Sequence, residues 1–153
     1  MAEIITLSAL TRDRAGKGAA RAARRAGRVP AVVYGDEKSP ALISVDPKDL
    51  TRALHRPGFF ARVLDVDVGG TKQRVLPRDV QLHPVTDAPL HADFLRVSAN
   101  TRITVGVPVV FEDQAKSPGL RRGGILNIVR HEIALICRAD NIPDRLAVSL
   151  EGL

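Results

Sequence analysis

The sequence predicts a mainly β protein of two parts: a strand-rich domain with short helices over residues 1–97 and a second all-β domain over residues 98–153. Three observations carry this. Apolar and polar residues alternate with period two on both sides of Gly69-Gly70. Only two segments, residues 18–26 and the run after Asp46, have a helix-forming pattern with a stop signal. Beyond residue 100 the chain is rich in Val and Ile, broken by short loops, with no helical period of useful length.

Taken in order, "EIITLSAL" from Glu3 is a strand, followed by a basic segment and then by "AVVYG", a short buried strand closed by Gly35. A third strand, "ALISV", leads into "DPKDLTRALHRPG". There Asp46 is placed to cap, Pro47 fits the first helical position, and Arg56-Pro57-Gly58 stops the helix. "ARVLDVDV" and "KQRVLPRDVQL" flank the Gly-Gly pair as a hairpin. Pro77 puts an edge or a bulge into the second arm, because proline cannot donate to a ladder. "HADFLRV" is the last strand before the polar "SANT" link, and "RITVGVPVVF", "GGILNIV" and "HEIALICRA" are strands of the second part.

Charge singles out one segment. The chain of 153 residues carries net +6, and residues 12–28 alone hold Arg12, Arg14, Lys17, Arg21, Arg24, Arg25 and Arg28 against Asp13, which is also +6. On a helix of about 3.6 residues per turn, Lys17, Arg21, Arg24, Arg25 and Arg28 fall on one face, with alanines between them and Gly27 placed to end the helix. Like charges three and four apart repel, so this helix is expected to be marginal until a polyanion neutralises it. Solvated helix faces normally mix signs. A stripe this one-sided predicts phosphate binding, for which the planar arginine fork is suited. With aromatics at 3% and no tryptophan, the surface cannot rest on base stacking.

Other chemistries find little support. "GKG" lacks the distant glycine and the Ser or Thr of a phosphate-binding loop, since Thr11 and Gly18 stand there. The four histidines show no metal-ligand spacing, so neither a metal nor a cofactor is expected. His91 and Asp93 point to one side of their strand, as a general base and its orienter would, or as a hydrogen-bonded surface pair. Cys137 cannot form an internal disulfide and sits in an apolar strand as a core residue, and no apolar run reaches the roughly 20 residues needed to span a bilayer. A cytoplasmic protein without membrane association is the expectation.

"GKGAARAARRAGRVPAVVYG" and "DVQLHPVTDAPLHADFLRV" resemble, in order, the two signature stretches of the bacterial large-subunit ribosomal proteins that bind 5S ribosomal RNA, the family that includes the general stress protein Ctc. The resemblance runs over residues 3–97. It implies a six-stranded β-barrel with short helices, similar to the anticodon-binding domain of glutaminyl-tRNA synthetase. The implied partner is the loop E region of 5S RNA in the large ribosomal subunit, with neighbouring ribosomal proteins as further partners and no enzymatic activity. It carries RNA contacts to Arg12, Gly16, Lys17, Arg21 and Arg24 in the basic segment, to Tyr34, and to Gln81, His91 and Asp93; Arg25 and Arg28 join through the stripe.

Residues from 101 onward resemble the second domain of longer members. Ala20 stands where many relatives carry a hydroxyl, and the chain ends at "RLAVSLEGL" where longer relatives continue, so the second domain is expected to be incomplete. A rival reading keeps the RNA-binding module but places it off the ribosome, as a stress or translation regulator.

Overall fold

The computed structural model describes residues 4–153; Glu3, where the first strand was expected to begin, lies outside them. Among the described residues, nine strands form two sheets. β1 (Ile5–Thr11), β2 (Val29–Gly35), β3 (Lys38–Val45), β4 (Leu64–Val68), β5 (Thr71–Leu82) and β6 (Pro89–Arg96) close into a barrel in the order β1-β3-β2-β6-β5-β4. Two parallel pairings complete the ring, β1 with β4 (Leu7↔Val66) and β2 with β6 (Val33↔Phe94). The remaining neighbours are antiparallel.

Period two decides what fills the barrel. Leu7, Ala31, Val33, Ile43, Val45, Leu64, Val66, Val75, Ala92 and Phe94 point inward and are buried. Phe94 is 0% exposed, and sealing a side chain of this size contributes roughly 1.5–3 kcal/mol. Helix α1 (Lys17–Arg25) lies outside, and α2 (Pro47–Leu54) adds Leu50 and Ala53 to the same core. At the start of α2, the Asp46 carboxylate accepts from Lys48 N–H at 2.8 Å with Pro47 in the first turn, as expected from the residue types. Gly69 and Gly70 both have positive φ, which the tight turn between β4 and β5 requires. Pro77 marks a bulge: the β5–β6 register slips between Pro77↔Phe94 and Asp79↔Asp93, leaving Arg78 as the extra residue.

The second sheet has three strands in the order β8-β7-β9: β7 (Arg102–Glu112), antiparallel to β8 (Glu132–Arg138) and parallel to β9 (Leu146–Ser149). Ile103, Val105 and Val107 of β7 pack with Ala61, Leu76, Val97 and Ala139 in a second core, against which Cys137 and Leu135 lie half-buried. That core ties the sheet to the barrel.

One expected strand is absent and one unexpected strand is present. Residues 123–129 do not join a sheet; Ile125 is 93% and Val129 85% exposed. The reason is local. A short helix, α3 (Pro118–Arg121), is capped by Ser117, and the chain then turns so tightly that Gly124 N–H bonds Gly119 C=O at 3.0 Å, where a Cβ on Gly124 would sit 2.7 Å from that oxygen. β9, whose four residues carry no alternating signal, forms because β7 offers it a parallel edge.

Candidate nucleic-acid interface

Helix α1 begins at Gly16, whose φ of 104° suits glycine, with no side-chain cap and no acid in the first turn. The first N–H groups and the positive end of the helix dipole are therefore left for an anion. The C-terminus is closed by two bonds, Gly27 N–H to Arg24 C=O and Arg28 N–H to Ala23 C=O, with Gly27 at φ 75°. Ala19, Ala20 and Ala23 are half-buried, so the helix rests on its small side chains. Arg24 Nε donates to the Leu90 carbonyl of β6 at 3.1 Å, pinning the helix across the barrel. Lys17, Arg21 and Arg25 are exposed, and none forms an ion pair with an acid among the described residues.

Two of the expected contacts, Arg28 and Arg12, also bond within the protein. Arg28 falls just past the helix end and turns inward: its Nε donates to Ser44 Oγ at 3.2 Å and its Nη2 to the Ser44 carbonyl at 2.9 Å. Arg12 Nε donates to the Ile43 carbonyl at 2.9 Å. Burial lowers the Arg12 pKa from its ordinary value, and its Nη1 is sealed from solvent without a protein partner. These two cations brace the end of β3, and Arg28 is the one half-buried member of the five-cation stripe.

The second half of the site is the outer face of β2, β6 and β5. Because Ala92 and Phe94 face inward, His91 and Asp93 face outward, with His91 Nδ1 3.1 Å from Asp93 Oδ1. Gln81 sits opposite His91, and Tyr34 opposite Leu95 beside them. Asp79, which sequence reasoning passed over, is directly opposite Asp93 and exposed. The signal was available, since Asp79 is two residues before Gln81 on one strand and so shares its face. Two carboxylates opposite one another destabilise a sheet unless hydrogen-bond donors are brought to them. No group of three His, Cys, Asp or Glu side chains arranged to hold a metal occurs among the described residues.

A cationic helix pinned beside a strip of polar side chains, on the outside of a closed barrel, defines a non-catalytic surface module that displays charge and hydrogen-bonding groups on one face. Residues 7–94 match the Ribosomal L25p family, and residues 102–153 match the family described as Ribosomal protein TL5, C-terminal domain. The chain is 55% identical to a protein of Rhizorhabdus wittichii, over 100% of this chain and 74% of that protein. It is 54% identical to one of Novosphingobium aromaticivorans (99% and 74%) and 54% identical to one of Rhizobium meliloti (100% and 75%). Each of these carries the name large ribosomal subunit protein bL25. The chain belongs to the Ribosomal L25p family, whose members are structural, non-enzymatic proteins of the ribosome and therefore work in the bacterial cytoplasm.

Proposed function

We propose that this protein is a structural constituent of the large ribosomal subunit that binds 5S ribosomal RNA at its loop E region, through α1 and the outer face of β2, β6 and β5. The observation that carries the reading is the Arg24–Leu90 link, which sets exposed cations and the His91–Asp93 pair side by side on one surface. Regular RNA duplex hides its base edges in a deep, narrow groove, so specificity comes from distorted elements with an altered groove. Loop E is such an element. Lys17, Arg21, Arg24 and Arg25 would hold phosphates together with the free N–H groups that follow Gly16, while Tyr34, Gln81, His91 and Asp93 read polar edges. A carboxylate on an RNA-facing surface is useful only as an acceptor from a base amino or 2′-hydroxyl group, since it repels phosphate. His91 and Asp93 stand together on that surface, with Nδ1 3.1 Å from Oδ1.

The test is the salt dependence of binding to a loop E fragment. About 4 to 6 neutralised phosphates give a log-log slope of roughly −3 to −5, at about 0.7 to 0.9 per phosphate. Arg21→Glu with Arg24→Glu should weaken binding and flatten that slope. Binding nearly independent of salt would reduce the stripe to a solvated helix face. Sedimentation of the protein away from large-subunit fractions at low salt would instead favour an RNA-binding role off the ribosome.

A further inference from the structure

Arg102 opens β7 and Arg138 closes β8, and the antiparallel register sets them directly opposite one another, both exposed. Like charges in this position work against the sheet. Neither forms an ion pair with an acid among the described residues; nearby Asp140 is engaged by Arg74 at 3.2 Å. A third arginine arrives from the barrel. Arg78, the extra residue of the β5 bulge, has its Nη1 3.5 Å from the Thr104 carbonyl on β7. Thr104 is two residues from Arg102, on the same side of the strand and roughly 7 Å along it. The chain neighbour of Arg78 is Asp79, opposite Asp93 on the polar face already described.

We propose that Arg78, Arg102 and Arg138 form a second cationic contact at the seam between barrel and sheet, which grips the phosphate backbone of the RNA held by the barrel. The inference rests on the RNA-binding reading above and gives the second sheet a partner. Bulges re-aim side chains, and this one takes Arg78 from the barrel to β7, the strand that opens with Arg102, so a polyanion crossing the polar face meets this strand next. None of the three guanidinium groups is ion-paired with an acid among the described residues, and phosphates, each of which can accept a forked pair of bonds, suit them.

Two RNAs separate this contact from the barrel's own: a loop E fragment trimmed to minimal flanking pairs, and the same fragment lengthened by about one helical turn on each side. The wild-type chain, Arg102→Gln/Arg138→Gln and Arg21→Gln/Arg24→Gln are titrated against both over a range of salt. The seam variant should bind the short RNA as wild type does. On the long RNA it should lose roughly tenfold in affinity, with the salt slope flattened by about 1.4 to 1.8 for two phosphates. The helix variant should weaken on both.

A wild-type slope for the seam variant on the long RNA overturns the seam contact and leaves the loop E reading standing, whereas failure of the wild-type chain to bind either RNA overturns both. Unchanged RNA binding with lost co-sedimentation with the large subunit would assign the arginines to a protein partner and also overturn the proposal. Arg138→Glu supplies a control on folding: relieving the like-charge pair should raise the melting temperature by about 1 to 2 °C while weakening binding to the long RNA. A lowered melting temperature would make the arginines structural and sink the idea.

Discussion

The barrel and the three-stranded sheet are written in similar residues, runs of Val, Ile and Leu at alternate positions, yet they use their faces in opposite ways. Closing the barrel hides its apolar side completely, and the outside is then free to carry Asp79, Gln81, His91 and Asp93. The open sheet buries one side on the barrel and leaves the other uncovered, with Ile136 76% exposed. Closure, rather than composition, leaves the polar strip of β5 and β6 facing outward, although Leu10 and Leu82 of the barrel are exposed as well. Charge divides the same way, since residues 12–28 alone account for the net +6 of the chain.

The comparison can be broken most severely at Phe94. Phe94→Ala should destabilise the protein by about 3–5 kcal/mol, because a closed barrel cannot collapse around the lost ring; denaturant titration measures it. Next are the two braces. Arg28→Ala should cost about 1.5–3 kcal/mol in stability, as it leaves both Ser44 oxygens without their charged donor. Its effect on RNA affinity should follow the loss of folded protein, in contrast to changes at Arg21.

Asp93→Ala should cost about 1–3 kcal/mol in binding loop E while leaving the salt slope and the melting temperature nearly unchanged. Melting curves alongside titrations at two salt concentrations decide this, since a structural role would move the melting temperature first. The smallest effect is expected on the open sheet. Ile136→Ser should change stability by less than about 0.5 kcal/mol; a larger loss would mean that this face is covered in solution.

What was legible in the sequence was local. The Asp46-Pro47 cap, the Gly27 stop, the Gly69-Gly70 turn and the bulge after Pro77 each depend on residues within a few positions of one another, where backbone sterics and hydrogen-bond donors decide the outcome. Strand order is not a local property. The barrel was reached through family resemblance, and nothing in the spacing of β1 or β2 announces their parallel partners β4 and β6. The site divides in the same way. His91 and Asp93 were placed correctly by period two, and Asp79 obeys the same rule but was passed over. Helical spacing put Arg28 on the stripe and could not report that Ser44, on another strand, offers it two acceptors; Arg12, reached through the family resemblance, bonds the Ile43 carbonyl of that same strand. Residues 123–129 look like a strand by composition, but a strand also needs an edge to join.

The parallel seam between β2 and β6 also sets a timetable. On a chain made from its N-terminus, α1 leaves the ribosome long before Leu90 exists to receive Arg24, and the ring stays open until Pro89–Arg96 has been added. Pairings this distant along the chain form slowly. Until then the arginine segment lacks its anchor on β6, and under the proposed function it would attract nucleic acids by charge alone. His91 and Asp93 arrive on the strand that completes the ring, so under the RNA-binding function proposed above discrimination between RNAs begins only when folding of the barrel ends.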